Sequence, residues 1–180
     1  AYSGATRNLK FDDEFDFISV TNPDKKTEAD EIMKQIVEEY KKGVIKYGIK
    51  GTIVLTPTHF DRGTPTGYLC KNRVNTAIQA EINPKIAGKS FVEVNHQTFM
   101  KGDRIIQRRN TDEVINGDLG TIVSIVKEGN DLCVGIIFDS KDEVIEYDAN
   151  DMKDVELAYA ITVHSSQGCE FPCCIFPVSS

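Results

Sequence analysis

Apolar residues recur with helical spacing in the first quarter of the chain. Residues three and four positions apart are neighbours on a helix surface, so the apolar ones predict a single buried face. This stripe comprises Ile32, Ile36, Val37 and Tyr40. Thr27 and Asp30 form a pair similar to a capping box, which predicts that the helix begins near Thr27. Gly43 is the predicted C-cap.

A strand is predicted on each side of this helix. Residues 11–20 alternate acidic and apolar side chains, which indicates a strand with one buried face. Residues 53–55 are all apolar, which is typical of a strand buried on both faces of a parallel sheet. The order strand, helix, strand predicts a βαβ unit. A second helix is predicted from Val74, Ile78 and Ile82, and it should end before Pro84.

The pattern changes after residue 91. Short β-rich runs at residues 103–107, 120–126, 132–138 and 144–147 are separated by Asn-Gly, Gly-Asn and Asp-Ser turns. Their even spacing predicts a small antiparallel barrel. We expect the barrel to have a core of its own, made of Ile105, Ile122, Val123, Val134, Ile136 and Phe138.

The predicted fold class is therefore α/β, with the first domain interrupted by the barrel. We place the first part of the α/β domain at residues 1–95, the barrel at 96–155 and the rest of the α/β domain at 156–180. Residues 173–178 predict another strand of the parallel sheet, next to residues 53–55 or one strand removed.

Charge limits the kind of nucleic-acid contact that the chain can make. The net charge is −7, so any contact with DNA must be local. The dense basic cluster is Lys101, Arg104, Arg108 and Arg109. It is either a patch that faces DNA phosphates or ordinary solvated charge, and the sequence favours neither. Arg108 and Arg109 would point to opposite faces of a strand, so they cannot both contact one ligand.

The five cysteines include no CxxC pair, so we expect reduced, buried thiols and no metal site. We find neither a signal peptide nor an apolar run that could cross a membrane, and we expect a cytoplasmic protein. The chain starts without Met and stops on an apolar run, so we expect it to be part of a longer protein.

Residues 158–172, AYAITVHSSQGCEFP, are the richest stretch in candidate chemistry. Thr162, His164 and Ser165 offer donors for phosphate oxygens. Gly168 lets a backbone approach a ligand, and Glu170 can accept from a ribose hydroxyl. Considered alone, a histidine in such a loop is more often structural.

The order of these residues resembles motif V of superfamily 1 helicases in its RecD/TraA form, AYA-x-TVH-K-SQG-x-EF-P. Residues 102–110 (GDRIIQRRN) and 116–120 (NGDLG) resemble the start of that family's barrel. Residues 54–57 (VLTP), with Asn75, Gln79 and residues 82–84 (INP), resemble the stretch before it. The resemblance covers residues 53–178.

The resemblance implies a partial RecA-like domain of the P-loop NTPase type, interrupted by an SH3-like β-barrel. It implies the C-terminal part of an ATP-dependent DNA helicase that moves 5′ to 3′ on single-stranded DNA and serves repair or recombination. Candidate DNA contacts are Thr162, His164 and Ser165, to which the basic cluster adds Arg104 and Arg108. Candidate nucleotide contacts are Gln167, Gly168 and Glu170. Ser165 stands where the family usually has Lys, which weakens a phosphate contact.

Three motifs of such a motor are missing: a GxxxxGK[ST] loop, a Walker B motif whose Asp-Glu pair would serve magnesium, and the arginine motif. We therefore assign no catalytic residue and no metal ligand here, and we expect this chain alone to be inactive. ATP and Mg²⁺ would act in the full-length parent, with none bound to this part. Expected partners are single-stranded DNA, the N-terminal RecA-like domain of the same protein and further recombination or conjugation subunits, but no membrane. The alternative is a non-catalytic module that binds a protein through the barrel edge.

Overall fold

The computed structural model describes residues 16, 18–20, 24–57, 69–129 and 131–177. Within these ranges it contains two α-helices and ten β-strands. In chain order they are α1 (Lys25–Tyr47), β1 (Thr52–Thr56), α2 (Lys71–Ile82), β2 (Phe91–Val94), β3 (Gln97–Met100), β4 (Arg104–Gln107), β5 (Leu119–Glu128), β6 (Asp131–Phe138), β7 (Val144–Tyr147), β8 (Val155–Leu157), β9 (Ala160–Thr162) and β10 (Cys173–Ile175). Most of the strand predicted at residues 11–20 lies outside the described residues, and residues 18–20 form no strand.

A parallel sheet with the order β10-β1-β9 forms the first layer. Val54 in β1 is opposite Ala160 in β9 and Ile175 in β10. Ile53 and Val54 are fully buried, as expected for a strand with a neighbour on each side. The prediction that β10 lies next to β1 is confirmed, although its last predicted residue, Val178, lies outside the described residues.

Helix α1 packs on this sheet through the predicted apolar stripe, but its two ends differ from the prediction. The carboxylate of Asp24 accepts a hydrogen bond from the backbone N–H of Thr27 at 3.3 Å, so Asp24 and not Thr27 is the N-cap. The helix ends at Gly48, whose φ of 76° suits a residue without a side chain. Gly43 lies inside the helix, where a Cβ atom would come within 2.6 Å of the Thr52 side chain.

An antiparallel sheet with the order β7-β6-β5-β4-β8 forms the second layer, and β2 and β3 make a separate hairpin. The four β-rich runs of the sequence correspond to β4, β5, β6 and β7, so these predicted strands are confirmed. Among the described residues no pairing joins β7 to β8. The structure is therefore mixed α/β with an open five-stranded sheet, not a closed barrel.

The second sheet shares its core with the first layer. All but one of the predicted barrel-core residues are buried, the half-buried Val123 being the exception. However, Ile122 and Phe138 belong to the same continuous cluster as Ile36 and Ile78. The prediction of a separate barrel core was therefore wrong. A sheet of this size buries too little apolar surface by itself, and it completes its core against the helices.

A buried carboxylate joins the two layers. Asp103, in the turn before β4, accepts hydrogen bonds from Gln79 Nε2 at 2.6 Å, from Asn83 Nδ2 at 2.5 Å and from the backbone N–H of Met100 at 2.7 Å. Gln79 lies in the last turn of α2 and Asn83 is its C-cap residue, and both side chains reach Asp103. Burial raises the pKa of Asp103, although these hydrogen bonds act in the opposite direction.

Candidate functional site

The motif loop, defined here as residues 162–170, begins where β9 ends at the carboxyl edge of the parallel sheet. It contains a short 3-10 helix at His164–Ser166 and leads into β10. The backbone N–H of Val163 donates to the carbonyl of Thr56 at the end of β1, at 3.2 Å. The loop therefore lies at the edge where open parallel sheets usually bind their ligands.

Asn75 fixes the strand that leads into the motif loop. Its Oδ1 accepts from the backbone N–H of Ala160 at 2.9 Å, and its Nδ2 donates to the carbonyl of Ala160 at 2.8 Å. β9 pairs with β1 along its other edge, so the Asn75 side chain takes the place of a neighbouring strand. The sequence analysis did not assign this positioning role to Asn75. The spacing of Asn75, Gln79 and Asn83 on one face of α2 was the available signal.

Two hydroxyl groups organise the first turn of the motif loop. Thr162 Oγ1 lies 2.9 Å from Ser165 Oγ and also accepts from the backbone N–H of Ser165 at 3.3 Å. Thr162 is 4% exposed, whereas Ser165 is half-buried. The Thr162 side chain therefore holds the turn together, and Ser165 carries its hydroxyl toward the surface.

The remaining predicted site residues of the motif loop are exposed. His164, Gln167, Gly168 and Glu170 all lie on the surface of the motif loop. Gly168 has a φ of 84°, and a Cβ atom there would meet nothing within 4 Å, so backbone conformation and not space requires glycine. The three candidate nucleotide contacts thus share one accessible segment of four residues.

Arg108 brings a positive charge from the second sheet to the motif loop. The loop itself contains neither Lys nor Arg. Arg108 Nη1 donates to Ser165 Oγ at 3.2 Å, and Arg108 Nε lies 3.2 Å from Glu156 Oε2. The same carboxylate oxygen accepts from the buried Lys71 ammonium at 2.6 Å. One carboxylate is therefore shared by two cations, so it offsets the charge of Arg108 only in part.

Arg104 does not face solvent, which corrects its assignment as a DNA contact. It is 2% exposed, and its guanidinium binds the Asp139 carboxylate through Nη1 at 3.1 Å and Nη2 at 2.5 Å. Nη1 also donates to the carbonyl of Gly120 at 3.0 Å. Burial acts to raise the pKa of Asp139. The hydrogen bonds and charges of Arg104 and Lys50 outweigh burial and hold that pKa below its usual value.

Arg108 and Arg109 follow β4 and lie outside any strand, so the prediction that they point to opposite faces of a strand does not apply to them. Arg108 pairs with Glu156, whereas Arg109 lies 3.7 Å from Asp154 and is mostly exposed. The basic cluster therefore splits into one buried structural residue, Arg104, one residue at the motif loop, Arg108, and exposed charges elsewhere.

Other chemistry is sparse in the part of the chain that the structure describes. No group of three or more His, Cys, Asp or Glu side chains is arranged to hold a metal ion there. The five cysteines are free thiols, but the prediction that they are buried was wrong for Cys169 and Cys174, which are exposed. Neither described helix is both long and apolar enough to span a bilayer.

Comparison with known proteins identifies relatives of this chain. Residues 74–138 match the family model for the SH3 domain of ATP-dependent RecD-like DNA helicases. The chain is 32% identical over 120 residues to the ATP-dependent RecD2 DNA helicase of Deinococcus radiodurans. That similarity covers 66% of this chain but only 15% of the helicase.

Solved structures with some similarity are Pif1 helicases from Bacteroides. The complex with single-stranded DNA gives a TM-score of 0.45 at 19% identity and covers 71% of this chain and 34% of that chain. The complex with ADP-AlF3 and single-stranded DNA gives a TM-score of 0.46 at 18% identity and covers 86% and 39% of the two chains.

Proposed function

We propose that this chain, which is similar to part of a RecD-type DNA helicase, forms part of the motor region of an ATP-dependent DNA helicase. The main support is the position of the motif loop at the carboxyl edge of the parallel sheet, where Arg108 adds a cation from the second sheet. The match of residues 74–138 to a helicase SH3 domain supports the same proposal.

We assign the helices and the parallel sheet to a RecA-like domain, and the antiparallel sheet to an SH3-like insertion at residues 96–155. The two parts meet at Asp103, whose carboxylate binds side chains from α2 and from the segment before β9. This contact holds the insertion against the host domain near the point where the chain re-enters it.

His164, Ser165 and Arg108 are the proposed contacts to the DNA backbone. Ser165 and Arg108 share a hydrogen bond, so a phosphate that approaches the Ser165 hydroxyl also meets the guanidinium. Thr162 acts indirectly, by fixing the turn that carries Ser165. Because Ser165 has no charge of its own, Arg108 supplies the electrostatic part of this contact.

Gln167, Gly168 and Glu170 are the proposed nucleotide contacts. They lie on the exposed end of the motif loop, where they can face a second RecA-like domain. ATP and Mg²⁺ would bind between the two domains, with phosphate and magnesium ligands supplied by the other one. The ATP cycle would then alter the grip of the motif loop on the DNA backbone and move the strand, in the 5′ to 3′ direction.

A second candidate function is docking of a protein partner along the edge of the antiparallel sheet. β7 is the outer strand of that sheet, and Val144 at its start is half exposed. An outer strand offers unpaired backbone groups to an added strand. This function would need no contact at the motif loop, so the substitutions below separate it from the helicase proposal.

Salt-dependent binding of single-stranded DNA tests the backbone contacts. We expect Arg108→Gln to weaken binding and to lower the slope of log affinity against log salt by about one, because one phosphate contact is lost. Arg109→Gln is the matched control, since it removes the same charge from the neighbouring residue, which pairs with Asp154. Equal effects of the two substitutions would contradict the proposed site.

The nucleotide contact and the DNA contact of the motif loop should respond to different substitutions. The test needs a protein that joins this chain to its ATP-binding partner domain. We expect Glu170→Ala to weaken ATP use more than DNA binding, and His164→Ala to do the reverse, each by roughly tenfold. ATP turnover and DNA affinity are measured on both variants. If both quantities stayed within about twofold of the parent, the motif loop would have no mechanistic role.

A further inference from the structure

A groove of about 550 Å³ lies on the second sheet, and none of its lining residues belongs to the motif loop. It is formed between the β3–β4 turn and the middle of β5. Its lining residues are Lys89, Ser90, Lys101, Gly102, Val123, Ser124 and Ile125. Its volume falls within the range of ordinary ligand sites.

Two backbone irregularities shape the groove. The pairing of β5 with β6 shifts between Ile122 and Ser124, so Val123 is an extra residue that has no partner in β6. Opposite it, Gly102 has a φ of 94°, a conformation that other residues adopt only under strain. The bulge brings Val123 to the groove, and the glycine leaves the facing wall without a side chain.

The groove is positively charged in a chain whose net charge is −7. Lys89 donates to Asn83 Oδ1 and to the carbonyl of Pro84, which are neutral acceptors. Within the described part of the chain, neither Lys89 nor Lys101 pairs with a carboxylate. Lys127 lies nearby on β5, with its ammonium 5.4 Å from the centre of the Phe91 ring.

The chemistry of the lining favours a peptide over a nucleic acid. Proteins that bind single strands without sequence preference stack the bases on aromatic side chains. The lining contains no aromatic residue, and the ammonium of Lys85 covers the Phe91 ring at 3.4 Å. Val123 and Ile125 instead offer an aliphatic surface in a groove that Lys89 and Lys101 also line, and this combination suits an apolar side chain with carboxylates next to it.

We propose that this groove binds a short acidic segment of a partner protein, with an apolar side chain against Val123 and Ile125 and carboxylates on Lys89 and Lys101. Charge complementarity identifies the partner's chemistry, because two unneutralised lysines attract a few carboxylates. The groove is independent of the motif loop, so the helicase proposal can fail without affecting it.

Fluorescence anisotropy on the full chain tests the proposal. The probe is a labelled peptide in which aspartates flank isoleucine and phenylalanine. We expect saturable binding that Lys101→Glu weakens by about fivefold, in line with an exposed ion pair. Val123→Asp should weaken binding by about tenfold, because it removes apolar contact and adds repulsion. Lys34→Glu on α1 makes the same charge change away from the groove lining and should leave binding unchanged.

Two further probes decide between charge, apolar contact and nucleic acid. The same peptide with asparagines in place of aspartates should not bind. A short oligothymidylate should bind the Lys101→Glu variant as well as the parent.

The proposal is overturned if the aspartate peptide does not bind, if its affinity is unchanged by Lys101→Glu, or if Lys101→Glu removes only oligothymidylate binding. Thermal unfolding of each variant checks that the fold is retained, and Lys101→Glu, at an exposed position, remains informative if Val123→Asp unfolds.

Discussion

The hydroxyl of Tyr159 donates a 2.7 Å hydrogen bond to the buried carboxylate of Asp103, from which it is separated by 56 positions in the sequence. Tyr159 precedes β9, and Asp103 precedes β4, so this bond joins the strand that leads to the motif loop with the first strand of the antiparallel sheet. Tyr40 of α1 packs against the Tyr159 ring edge-on, with the ring centres 6.0 Å apart. Both layers of the fold therefore meet at one tyrosine.

Asp103→Asn should destabilise the protein by about 2 kcal/mol. All the groups that contact the carboxylate are donors, and an amide offers only one acceptor oxygen while its own N–H groups would face donors. Urea unfolding measures the change. Asp142→Asn removes the same charge from an exposed position and is the control. Equal midpoints for the two variants would contradict the role of Asp103.

Asn75→Ala should lower the free energy of unfolding by about 3 kcal/mol, because the buried N–H and carbonyl of Ala160 both lose their partner. It should also speed hydrogen exchange at the Ala160 amide, since the edge of β9 is opened. Asn72→Ala is a control on the same helix, where the buried side-chain oxygen has no partner in the described structure. Exchange at Ala160 that is as slow in Asn75→Ala as in Asn72→Ala would rule out this anchoring role.

The pattern of apolar residues predicted both described helices and the strands β1, β4 to β7 and β10, but it did not predict β2, β3, β8 and β9. It could not identify the caps of α1, since both Asp24 and Thr27 are good capping residues and only geometry distinguishes them. It also could not separate Arg104 from Arg108. Arg104 begins β4 and Arg108 follows it, and only the contact of Arg104 with Asp139, just after β6, shows that Arg104 is buried.

The shared core was missed for a related reason. Alternation along β5 shows that one face of the sheet is buried, but it does not show what covers that face. In the candidate site, the order of residues 158–172 along the sequence was enough to identify the motif loop. The supporting contacts of Asn75 and Arg108 join segments 57 to 85 positions apart, and no local pattern reveals them.

The Arg104–Asp139 pair should make stability fall in acid. The pKa of Asp139 is held below its unfolded value of about 3.9, so the carboxylate stabilises the fold fully above that value. Its contribution is lost as pH falls through the lower, folded pKa. Asp139→Asn should therefore lower stability at neutral pH, by about 3 kcal/mol because Arg104 stays buried, and should flatten the acid limb of the stability curve.

Urea midpoints measured from neutral to acidic pH test this pair. Asp142→Asn again serves as the control, because it removes an exposed carboxylate and should leave the acid limb unchanged. A parent-like acid limb in Asp139→Asn would show that Asp139 does not carry this pH dependence.

Gly43→Ala should destabilise the protein, although alanine is normally the better helix former by about 1 kcal/mol. A Cβ atom at Gly43 would lie 2.6 Å from Thr52 Cγ2 and 2.9 Å from Cys173 Sγ, so α1 would have to move away from the sheet. Overpacking of this kind lowers the free energy of unfolding by about 1–3 kcal/mol.

Thr52→Ser removes the closest of these atoms, so the double variant should recover part of the loss. A double-mutant cycle in urea measures this coupling, and it should show a favourable interaction between the two substitutions. If Gly43→Ala raised stability, the close approach of α1 to β1 and β10 would be refuted.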